Sequence, residues 1–319
     1  MKLIIQIPCY NEAGTLAIAL AELPREVPGF DKVEWLVIDD GSTDATVEVA
    51  KRCGVDHFVR FKRNRGLARG YVAGLRAAVS LGADVIVNTD ADNQYKASDI
   101  PALTAPILEG RADIVIGARP ISAIKHFSPV KKALQKLGSA VVRAVSTTDV
   151  ADAPSGFRAV SRDAAMRLHV FNEYTYTLET IIQAGRKNMA VLSVPIGVNA
   201  DLRPSRLVKS IPSYIKKSML TMLRIFVVYK PFRFFMRIGT AVFALGLLLG
   251  LRFLAYYFGG DGGGHVQSLI LASILLGIGF QTMITAFLAD LLAVNRSLLE
   301  DIEYRGLKAE TLEREGGRR

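Results

Sequence analysis

The sequence contains few of the side chains that form disulfides or soft metal sites. It has only two cysteines, Cys9 and Cys53, among its 319 residues. Cys9 lies in a strand-like run and Cys53 at the end of a helical pattern, so we expect neither to be a disulfide partner or a metal ligand. The four histidines show no ligand spacing and stand at His57, His126, His169 and His265.

We expect neither a secretory leader nor a nucleic-acid partner. The first apolar run, residues 3–7, is too short for a secretory signal. The net charge is +10, but the sequence contains no known nucleic-acid-binding module and does not interleave basic with aromatic residues. The positive charge therefore calls for another explanation.

Long apolar runs, by contrast, are present near the C-terminus. Half of the residues are apolar, and the excess lies in residues 238–258 and 269–293. Each run has about 20 residues or more with few charges, which is long enough to cross a bilayer as a helix. A short glycine-rich turn, residues 259–265, joins them. We predict a two-helix transmembrane hairpin; a pair of buried core helices is the alternative.

Basic residues are concentrated on one side of this hairpin. A cluster of Lys and Arg precedes the first run, and Arg296 and Arg305 follow the second, whereas the turn has neither. The positive-inside rule therefore predicts that both termini are cytoplasmic and that the turn lies outside. The same cluster would attract anionic lipid headgroups by about 1 kcal/mol per residue.

Residues 210–229 show an amphipathic helical pattern. Their apolar side chains recur at helical spacing, at Ile211, Ile215, Met219, Met222 and Phe226. This pattern predicts helices that lie in the membrane interface; a core-facing helix of the soluble part is the alternative. We accordingly divide the chain into an N-terminal domain 1–209, juxtamembrane helices 210–232, a hairpin 233–295 and a cytoplasmic tail 296–319.

Short apolar runs alternate with helical patterns in the first half of the chain. Strands are predicted at 3–7, 35–38, 58–61, 85–87 and 114–116, and helices at 15–23, 43–52, 66–81 and 101–108. Further on, helices are predicted at 131–145, 162–168 and 176–185, and a strand at 191–198. The alternation predicts an α/β fold with a parallel, doubly wound sheet, in which ligands bind beyond the carboxyl ends of the strands.

Three polar clusters fall at those strand ends. They are Pro8-Cys9-Tyr10-Asn11-Glu12, Asp39-Asp40-Gly41-Ser42 and Asp90-Ala91-Asp92. The last places two carboxylates one residue apart at the tip of a buried strand, and a hard divalent cation prefers such fixed oxygens. We predict a metal that holds a nucleoside diphosphate; an ordinary polar turn is the alternative.

These clusters stand in order with Asn93-Gln94 and with Ser155-Gly156-Phe157-Arg158. The set resembles the motifs of the family 2 glycosyltransferases. With the C-terminal hairpin, the chain is similar to polyprenyl-phosphate glycosyltransferases, which include dolichyl-phosphate mannose synthases and bacterial undecaprenyl-phosphate enzymes. The resemblance implies a GT-A catalytic domain, Rossmann-like with a mostly parallel sheet, followed by interfacial amphipathic helices and the transmembrane hairpin.

The resemblance also implies which residues bind the donor. The nucleotide-sugar contacts would be Pro8, Tyr10, Asn11, Glu12, Asp39, Asp40, Asp90, Ala91 and Arg203. Tyr10 would stack on the base, and Asp39 and Asp40 would recognise base or ribose. Capping of the following helix by Asp40 and Ser42 is an alternative that could coexist. Asp90, Asp92 and Gln94 match the group that binds Mg²⁺ or Mn²⁺.

Catalytic and acceptor roles are implied for Asp92 and for several arginines. Arg119 and Arg158 match arginines near the reaction centre, and the acceptor phosphate would be held by Arg119, Ser155, Arg158 and Arg206. Where the family often carries a Gly-x-Ser-Lys stretch, this chain has Arg203-Pro204-Ser205-Arg206, so either Arg206 or Lys209 replaces the usual Lys. Asp152 and Glu179 are either site residues or structural partners of an arginine.

The implied activity is inverting transfer of one sugar from a UDP- or GDP-linked donor to a polyprenyl phosphate, by an enzyme of the cytoplasmic, or inner, membrane. Asp-Asp-Gly-Ser at residues 39–42 favours UDP slightly. One alternative is a family 2 enzyme that acts on another lipid or glycan of the cell envelope. Another is a non-catalytic membrane scaffold that binds nucleotide sugar. The sugar, the polyprenol and a homo-oligomeric state stay open.

Overall fold

The computed structural model describes residues 1–120, 148–170, 176–200, 227–260 and 262–316, together with residues 143, 146, 220 and 224. The chain divides into two compact units, Met1–Ser218 with Asp301–Arg319 and Met219–Glu300. The helix predicted at 131–145 and the amphipathic segment 210–229 lie mostly outside the described residues, as do Arg203, Arg206 and Lys209.

Within the described residues, the first unit is built around a seven-stranded sheet. The strands are β1 Lys2–Cys9, β2 Lys32–Asp39, β3 His57–Arg60, β4 Val85–Asn88, β5 Ile114–Ala118, β6 Arg158–Ser161 and β7 Val191–Pro195. Their order is β3-β2-β1-β4-β6-β5-β7, and β6 runs antiparallel to both of its neighbours. The other pairs are parallel.

The helices of this unit connect the strands. They are α1 Leu16–Glu22, α2 Thr46–Arg52, α3 Leu67–Ser80, α4 Ile100–Leu108, α5 Arg162–Arg167 and α6 Thr177–Arg186. β1 is buried along most of its length because both faces of the sheet are covered, as is usual for parallel strands. On one of those faces α3 comes close to β2: a Cβ at Gly74 would lie 2.8 Å from Ile38 Cδ1.

Strand register aligns the ends of the central strands. Cys9 at the end of β1 pairs with Asp39 at the end of β2, and Gln6 of β1 pairs with Asn88 at the end of β4. The loops that follow β1, β2 and β4 therefore leave the same edge of the sheet. We call this edge the carboxyl rim, and it carries the three polar clusters, as predicted.

The sheet is mostly parallel, as predicted, and it contains one antiparallel strand that the sequence did not predict. β6 begins at Arg158, inside the segment that was interpreted only as a motif, and it inserts between β4 and β5. Its four residues are too few to show an apolar periodicity. The last strand also ends at Pro195 rather than at residue 198. The predicted α/β class and mostly parallel GT-A-like sheet are confirmed.

The second unit contains a pair of helices. α7 spans Pro231–Phe258, and α8 spans Val266–Gly316, of which residues 301–316 belong to the first unit. Both are long and apolar enough to cross a membrane, with mean hydropathies of 2.0 and 1.9 in their most apolar windows. α7 begins seven residues before the predicted apolar run, at Pro231, because a helix start is set by local backbone geometry rather than by hydropathy.

Glycines let these two helices approach closely. A Cβ at Gly279 of α8 would lie 2.6 Å from the backbone nitrogen of Phe243 in α7. A Cβ at Gly239 would lie 3.0 Å from the carbonyl oxygen of Gly279. Small residues at helix contacts are typical of packing inside a bilayer, where helix association depends on close van der Waals contact.

The end of α8 packs against helices of the first unit. The Tyr304 hydroxyl donates to Asp163 Oδ1 at 2.6 Å, and the Arg167 guanidinium lies over the Tyr304 ring at 4.5 Å. Arg76 of α3 pairs with Glu303. The residues that were predicted as part of a separate tail are thus packed on α3 and α5.

Candidate functional site

The loop after β1 is tied to the loop after β2. Asn11 adopts a left-handed backbone conformation with φ of 54°. Its backbone N–H donates to Ser42 Oγ at 2.9 Å, and its side-chain Oδ1 accepts from the Thr43 N–H at 2.8 Å. Tyr10, next to it, is 42% exposed. Pro8 lies partly buried at the base of this loop.

Glu12 is mostly buried at the start of α1. Its backbone N–H donates to Thr46 Oγ1 at 2.8 Å, and its carboxylate accepts from the Thr15 hydroxyl at 2.9 Å. The residue therefore joins the β1 loop to α2. This arrangement orders the rim, and the predicted contact with a nucleotide stays a prediction.

The two carboxylates after β2 organise backbone at the rim. Asp39 Oδ1 accepts from the Ser42 N–H at 2.9 Å, while Asp40 accepts from the backbone N–H groups of Arg65 and Gly66 at 2.7 and 2.9 Å. Burial raises the pKa of Asp40, and these two hydrogen bonds oppose that shift. The alternative in which Asp40 and Ser42 cap α2 does not occur: the N-cap of α2 is Ala45, and Asp40 accepts from the backbone just before α3 instead.

The acidic motif follows β4 as a tight turn. Asp92 Oδ1 accepts from the Gln94 N–H at 3.2 Å, and Asn93 has a left-handed φ of 57°. Ala91 between the two carboxylates is buried. Burial and the adjacent charge of Asp92 raise the pKa of Asp90 to about 7. Asp90 is therefore a desolvated carboxyl that a bound cation would stabilise in its ionised form.

These residues fit a hard divalent cation. The donor set would be the carboxylates of Asp90 and Asp92 with the amide oxygen of Gln94, which leaves positions for phosphate and water. In the part of the chain that the structure describes, no group of three His, Cys, Asp or Glu side chains could hold a metal without such added ligands.

The segment matched to the acceptor site, Ser155-Gly156-Phe157-Arg158, lies directly against this motif. A Cβ at Gly156 would lie 3.1 Å from Asp90 Oδ2 and 3.2 Å from Asp90 Oδ1. The Ser155 hydroxyl is fully buried and has no hydrogen-bond partner among the described residues. The structure thus brings together two motifs that are separated by more than sixty positions in the sequence.

The buried side chain of Arg158 is hydrogen-bonded to this segment. Its side chain is completely buried, and its guanidinium donates to Thr180 Oγ1 at 2.7 Å, to the Thr177 carbonyl at 3.3 Å and to the Ser155 carbonyl. This placement differs from the predicted contact between the Arg158 guanidinium and an acceptor phosphate, because the group is enclosed by protein. The short motif could not show this, since it does not indicate which way the side chain points.

Arg119 is held by a buried carboxylate. Its Nε and Nη2 atoms donate to Asp152 at 2.7 and 3.1 Å, and the Asp152 side chain is only 1% exposed. Burial lowers the pKa of Arg119, but Tyr95, Asp152 and Asp90 outweigh burial and raise the pKa above its ordinary value. Asp152, whose role the sequence left open, is the partner of an arginine here.

Sequence reasoning missed a buried polar network behind the rim. Asn88 at the end of β4 donates to the Gly156 carbonyl and to Tyr176 Oη, both at 2.9 Å, and accepts from Gln6 Nε2 at 2.9 Å. Tyr95 Oη accepts from the Gly156 N–H at 3.0 Å. The sequence feature that could have indicated this network is the presence of the polar residues Gln6 and Asn88 in strands that are otherwise mostly apolar.

Comparison with known proteins agrees with this geometry. The model of the family "Glycosyl transferase family 2" matches residues 4–168. An undecaprenyl-phosphate mannosyltransferase of Micrococcus luteus is 30% identical over 61% of this chain and 83% of its own. A UDP-N-acetylglucosamine–dolichyl-phosphate N-acetylglucosaminyltransferase of Methanococcus voltae is 28% identical over 60% of this chain and 82% of its own.

A solved structure shares the fold. Glucosyl-3-phosphoglycerate synthase from Mycobacterium tuberculosis superposes with a TM-score of 0.56 at 21% identity, over 69% of this chain and 79% of that chain. At this identity the likeness concerns the fold alone. The family match extends over more than half of the chain, and the four motifs converge at the carboxyl rim and beside it. The protein therefore belongs to glycosyltransferase family 2 and is a glycosyltransferase with a GT-A-like fold.

Proposed function

We propose that this enzyme transfers a single sugar from a nucleoside-diphosphate donor to a polyprenyl phosphate. The observation that supports the proposal is that both carboxylate oxygens of Asp90 lie 3.1 to 3.2 Å from the Cβ position of Gly156. The turn matched to diphosphate binding therefore adjoins the segment matched to acceptor binding. The relatives that act on undecaprenyl phosphate and dolichyl phosphate support a lipid phosphate as the acceptor.

The donor would bind along the carboxyl rim. Asp90, Asp92 and Gln94 would hold Mg²⁺ or Mn²⁺ against the diphosphate, and the cation would neutralise charge there when bound. Tyr10, which is partly exposed, would stack on the base. Asn11, Glu12, Asp39 and Asp40 order the surrounding loops through the hydrogen bonds described above. UDP is slightly favoured over GDP by the Asp-Asp-Gly-Ser form of residues 39–42.

The acceptor would approach from the side of Ser155. A phosphate oxygen of the acceptor would form the new bond to the anomeric carbon while the bond from that carbon to the donor diphosphate breaks, with inversion. The electron pair leaves with the nucleoside diphosphate. A phosphate is ionised at neutral pH, so this reaction needs no strong general base, and a histidine at the site is not required.

Cationic side chains would hold the acceptor phosphate. Arg119 is the candidate for this contact that the structure describes with an incompletely buried side chain. The Ser155 hydroxyl is as fully buried as Arg158, so its contact with a phosphate oxygen stays a prediction from the sequence. Arg206, and Arg203 on the donor side, remain proposals from the sequence because they lie outside the described residues. Rate enhancement would come from holding two phosphates at one carbon.

Membrane attachment would bring the enzyme to its lipid substrate. The apolar helices α7 and α8 would span the bilayer as a hairpin, with the domain of residues 1–209 and both termini on the cytoplasmic side. Residues 210–232 would lie in the interface. A soluble donor and a lipid acceptor then meet at one surface.

The test is turnover by the purified full chain in lipid nanodiscs. Undecaprenyl phosphate and dolichyl phosphate are each offered with a panel of radiolabelled UDP- and GDP-sugars, and label that enters the organic phase is counted. We expect one of the donors to transfer its labelled sugar to the lipid, and we expect mild acid to release that label from the lipid as free sugar. Transfer only to a glycan or to a lipid without phosphate would overturn the acceptor assignment, and binding of donor without any turnover would indicate a scaffold.

A further inference from the structure

Gly156 is held in place by side chains from two other parts of the chain. Its N–H donates to the Tyr95 hydroxyl at 3.0 Å, and its carbonyl accepts from Asn88 at 2.9 Å. Both ends of this residue are therefore fixed by groups that flank the Asp90–Gln94 motif. We propose that Asn88 and Tyr95 are positioning residues that press Gly156 against the Asp90 carboxylate and so set the spacing between donor diphosphate and acceptor phosphate. This inference rests on the function proposed above.

The space at Gly156 shows how close this fit is. Both carboxylate oxygens of Asp90 lie 3.1 to 3.2 Å from the point where a Cβ would be, and Tyr176 Oη lies 3.1 Å from the same point. An added methyl group would push the Asp90 carboxylate and the Tyr176 hydroxyl away by a few tenths of an ångström, and a larger side chain would push them further. Glycine therefore lets the acceptor segment serve as a wall for the metal-binding carboxylate.

The two anchors are themselves rigid. Asn88 is 1% exposed, and Gln6 and Tyr176 occupy its remaining hydrogen-bonding atoms. The Tyr95 ring stacks on Phe157, with ring centroids 5.1 Å apart, so both the ring and the hydroxyl of Tyr95 contact the acceptor segment. These hydrogen bonds hold Asn88 and Tyr95 in one geometry, because breaking any of them would leave a buried group without its partner.

This geometry is expected to matter for transfer as well as for stability. An apolar side chain at residue 88 would leave Gln6 Nε2 without its acceptor and would remove a donor from the Gly156 carbonyl and from Tyr176 Oη, so Tyr95 is the better position for a test that spares the rest of the network. In a displacement between two phosphates, a misplacement of about 1 Å lowers the rate about 100-fold. Binding and activation of the donor, by contrast, need only the Asp90–Gln94 motif. If the hydrogen bonds that hold Gly156 are lost, we therefore expect water to replace the acceptor phosphate and hydrolyse the donor.

The first experiment compares two tyrosines whose hydroxyls are both buried. Tyr95→Phe removes the hydrogen bond to Gly156 and keeps the ring, whereas Tyr71→Phe removes a hydroxyl that has no hydrogen-bond partner in the described structure. In nanodiscs with undecaprenyl phosphate, we expect Tyr95→Phe to lower kcat about 10-fold, to leave the donor KM unchanged and to raise the fraction of donor hydrolysed. Tyr71→Phe should match the wild type in all three.

The second experiment measures binding and needs no turnover. UDP binding by the full chain is titrated with MnCl₂ in Gly156→Ala and in Gly306→Ala, whose added methyl would meet no atom within 4 Å. We expect Gly156→Ala to raise the Mn²⁺ concentration at half-saturation about 10-fold or more, because Asp90 must move, and Gly306→Ala to leave it unchanged.

The two experiments separate the possible failures. If the wild type transfers sugar to no polyprenyl phosphate, the proposed function fails, and the Mn²⁺ titration still decides the contact between Gly156 and Asp90. Unchanged half-saturation in a folded Gly156→Ala overturns the inference. It is also overturned if Tyr95→Phe and Tyr71→Phe hydrolyse the same fraction of donor, since a purely structural role would not alter that partition.

Discussion

The Arg119 guanidinium and the Asp152 carboxylate form a two-point ion pair with both side chains buried. Arg119 follows β5 at the rim, whereas Asp152 precedes the acceptor segment by three positions. The pair therefore fixes the orientation of the Arg119 guanidinium at the end of β5. It also ties the region before Ser155 to the end of β5.

Removal of the Asp152 carboxylate should lower the free energy of unfolding. Asp152→Ala leaves the buried Arg119 charge without its partner, and breaking a buried ion pair from one side costs about 3–5 kcal/mol. We expect a clear loss of thermal stability, measured on the purified protein, together with reduced transfer. The exposed pair Arg111–Glu109 supplies the control, because Glu109→Ala should change the free energy of unfolding by less than about 1 kcal/mol. Equal effects of the two substitutions would contradict the structural role of Asp152.

The acidic motif should be required for turnover but not for folding. We expect Asp92→Ala to abolish sugar transfer while expression, membrane insertion and thermal unfolding stay as in the wild type, because Asp92 lies in a surface turn. Chelation by EDTA should have the same effect on the wild type, and added Mn²⁺ or Mg²⁺ should reverse it. Activity of Asp92→Ala at the wild-type level would remove the metal from the mechanism.

We expect Glu34 to make the free energy of unfolding depend on pH in the acidic range. Burial alone would raise the pKa of Glu34, but hydrogen bonds from Lys2, Lys32 and His57 outweigh burial and lower the pKa to about 2. A lowered pKa stabilises the folded state above the unfolded value, near 4.5, and this stabilisation is lost as the pH falls toward 2. At pH 7 we expect Glu34→Gln to cost about 1–2 kcal/mol after allowance for solvent screening.

The check for Glu34 is chemical denaturation of the wild type and Glu34→Gln at several pH values. The difference in the free energy of unfolding should be constant from pH 7 down to about pH 5 and should shrink below it. A difference that is independent of pH down to 3 would show that the contacts of Glu34 stabilise through packing and not through charge.

The helix pair should be sensitive to added bulk on one face only. We expect Gly279→Val to separate α7 from α8, because the Cβ position lies 2.6 Å from backbone of the partner helix. Gly277→Val is a matched control on the same helix, since nothing lies within 4 Å of its Cβ position. The melting temperature in detergent should fall for the first variant and not for the second. Equal melting temperatures would show that the two helices do not pack through Gly279.

Patterns of apolar residues were sufficient to predict most of the sheet. β1, β2 and β4 are recognisable because parallel strands covered on both faces are continuously apolar. β6 was not predictable, because its four residues, Arg158 to Ser161, contain two polar side chains and pair through contacts distant in sequence. Helix patterns marked α7 and α8, but hydropathy could not locate their polar ends.

The candidate site was predictable as a set of motifs but not as a set of contacts. The clusters around Asp39 and Asp90 predict a polar rim, because the carboxyl ends of parallel strands lie at one edge of the sheet. The sequence could not show that Asp40 binds the backbone before α3 or that Arg158 is enclosed. Those facts depend on which side chains the tertiary structure places opposite each other, and only the structure contains that information.

The reversed direction of β6 affects how well the enzyme tolerates insertions and deletions near this strand. Because β6 alone runs against its neighbours, its first residue, and not its last, reaches the rim, with Arg158 paired to Asn88 of β4. A slip of one residue in this pairing would shift the chain ahead of β6 by about 3.3 Å and turn its side chains to the opposite face. Insertions or deletions between residues 153 and 161 should therefore be far more harmful than those in the loops that join the parallel strands.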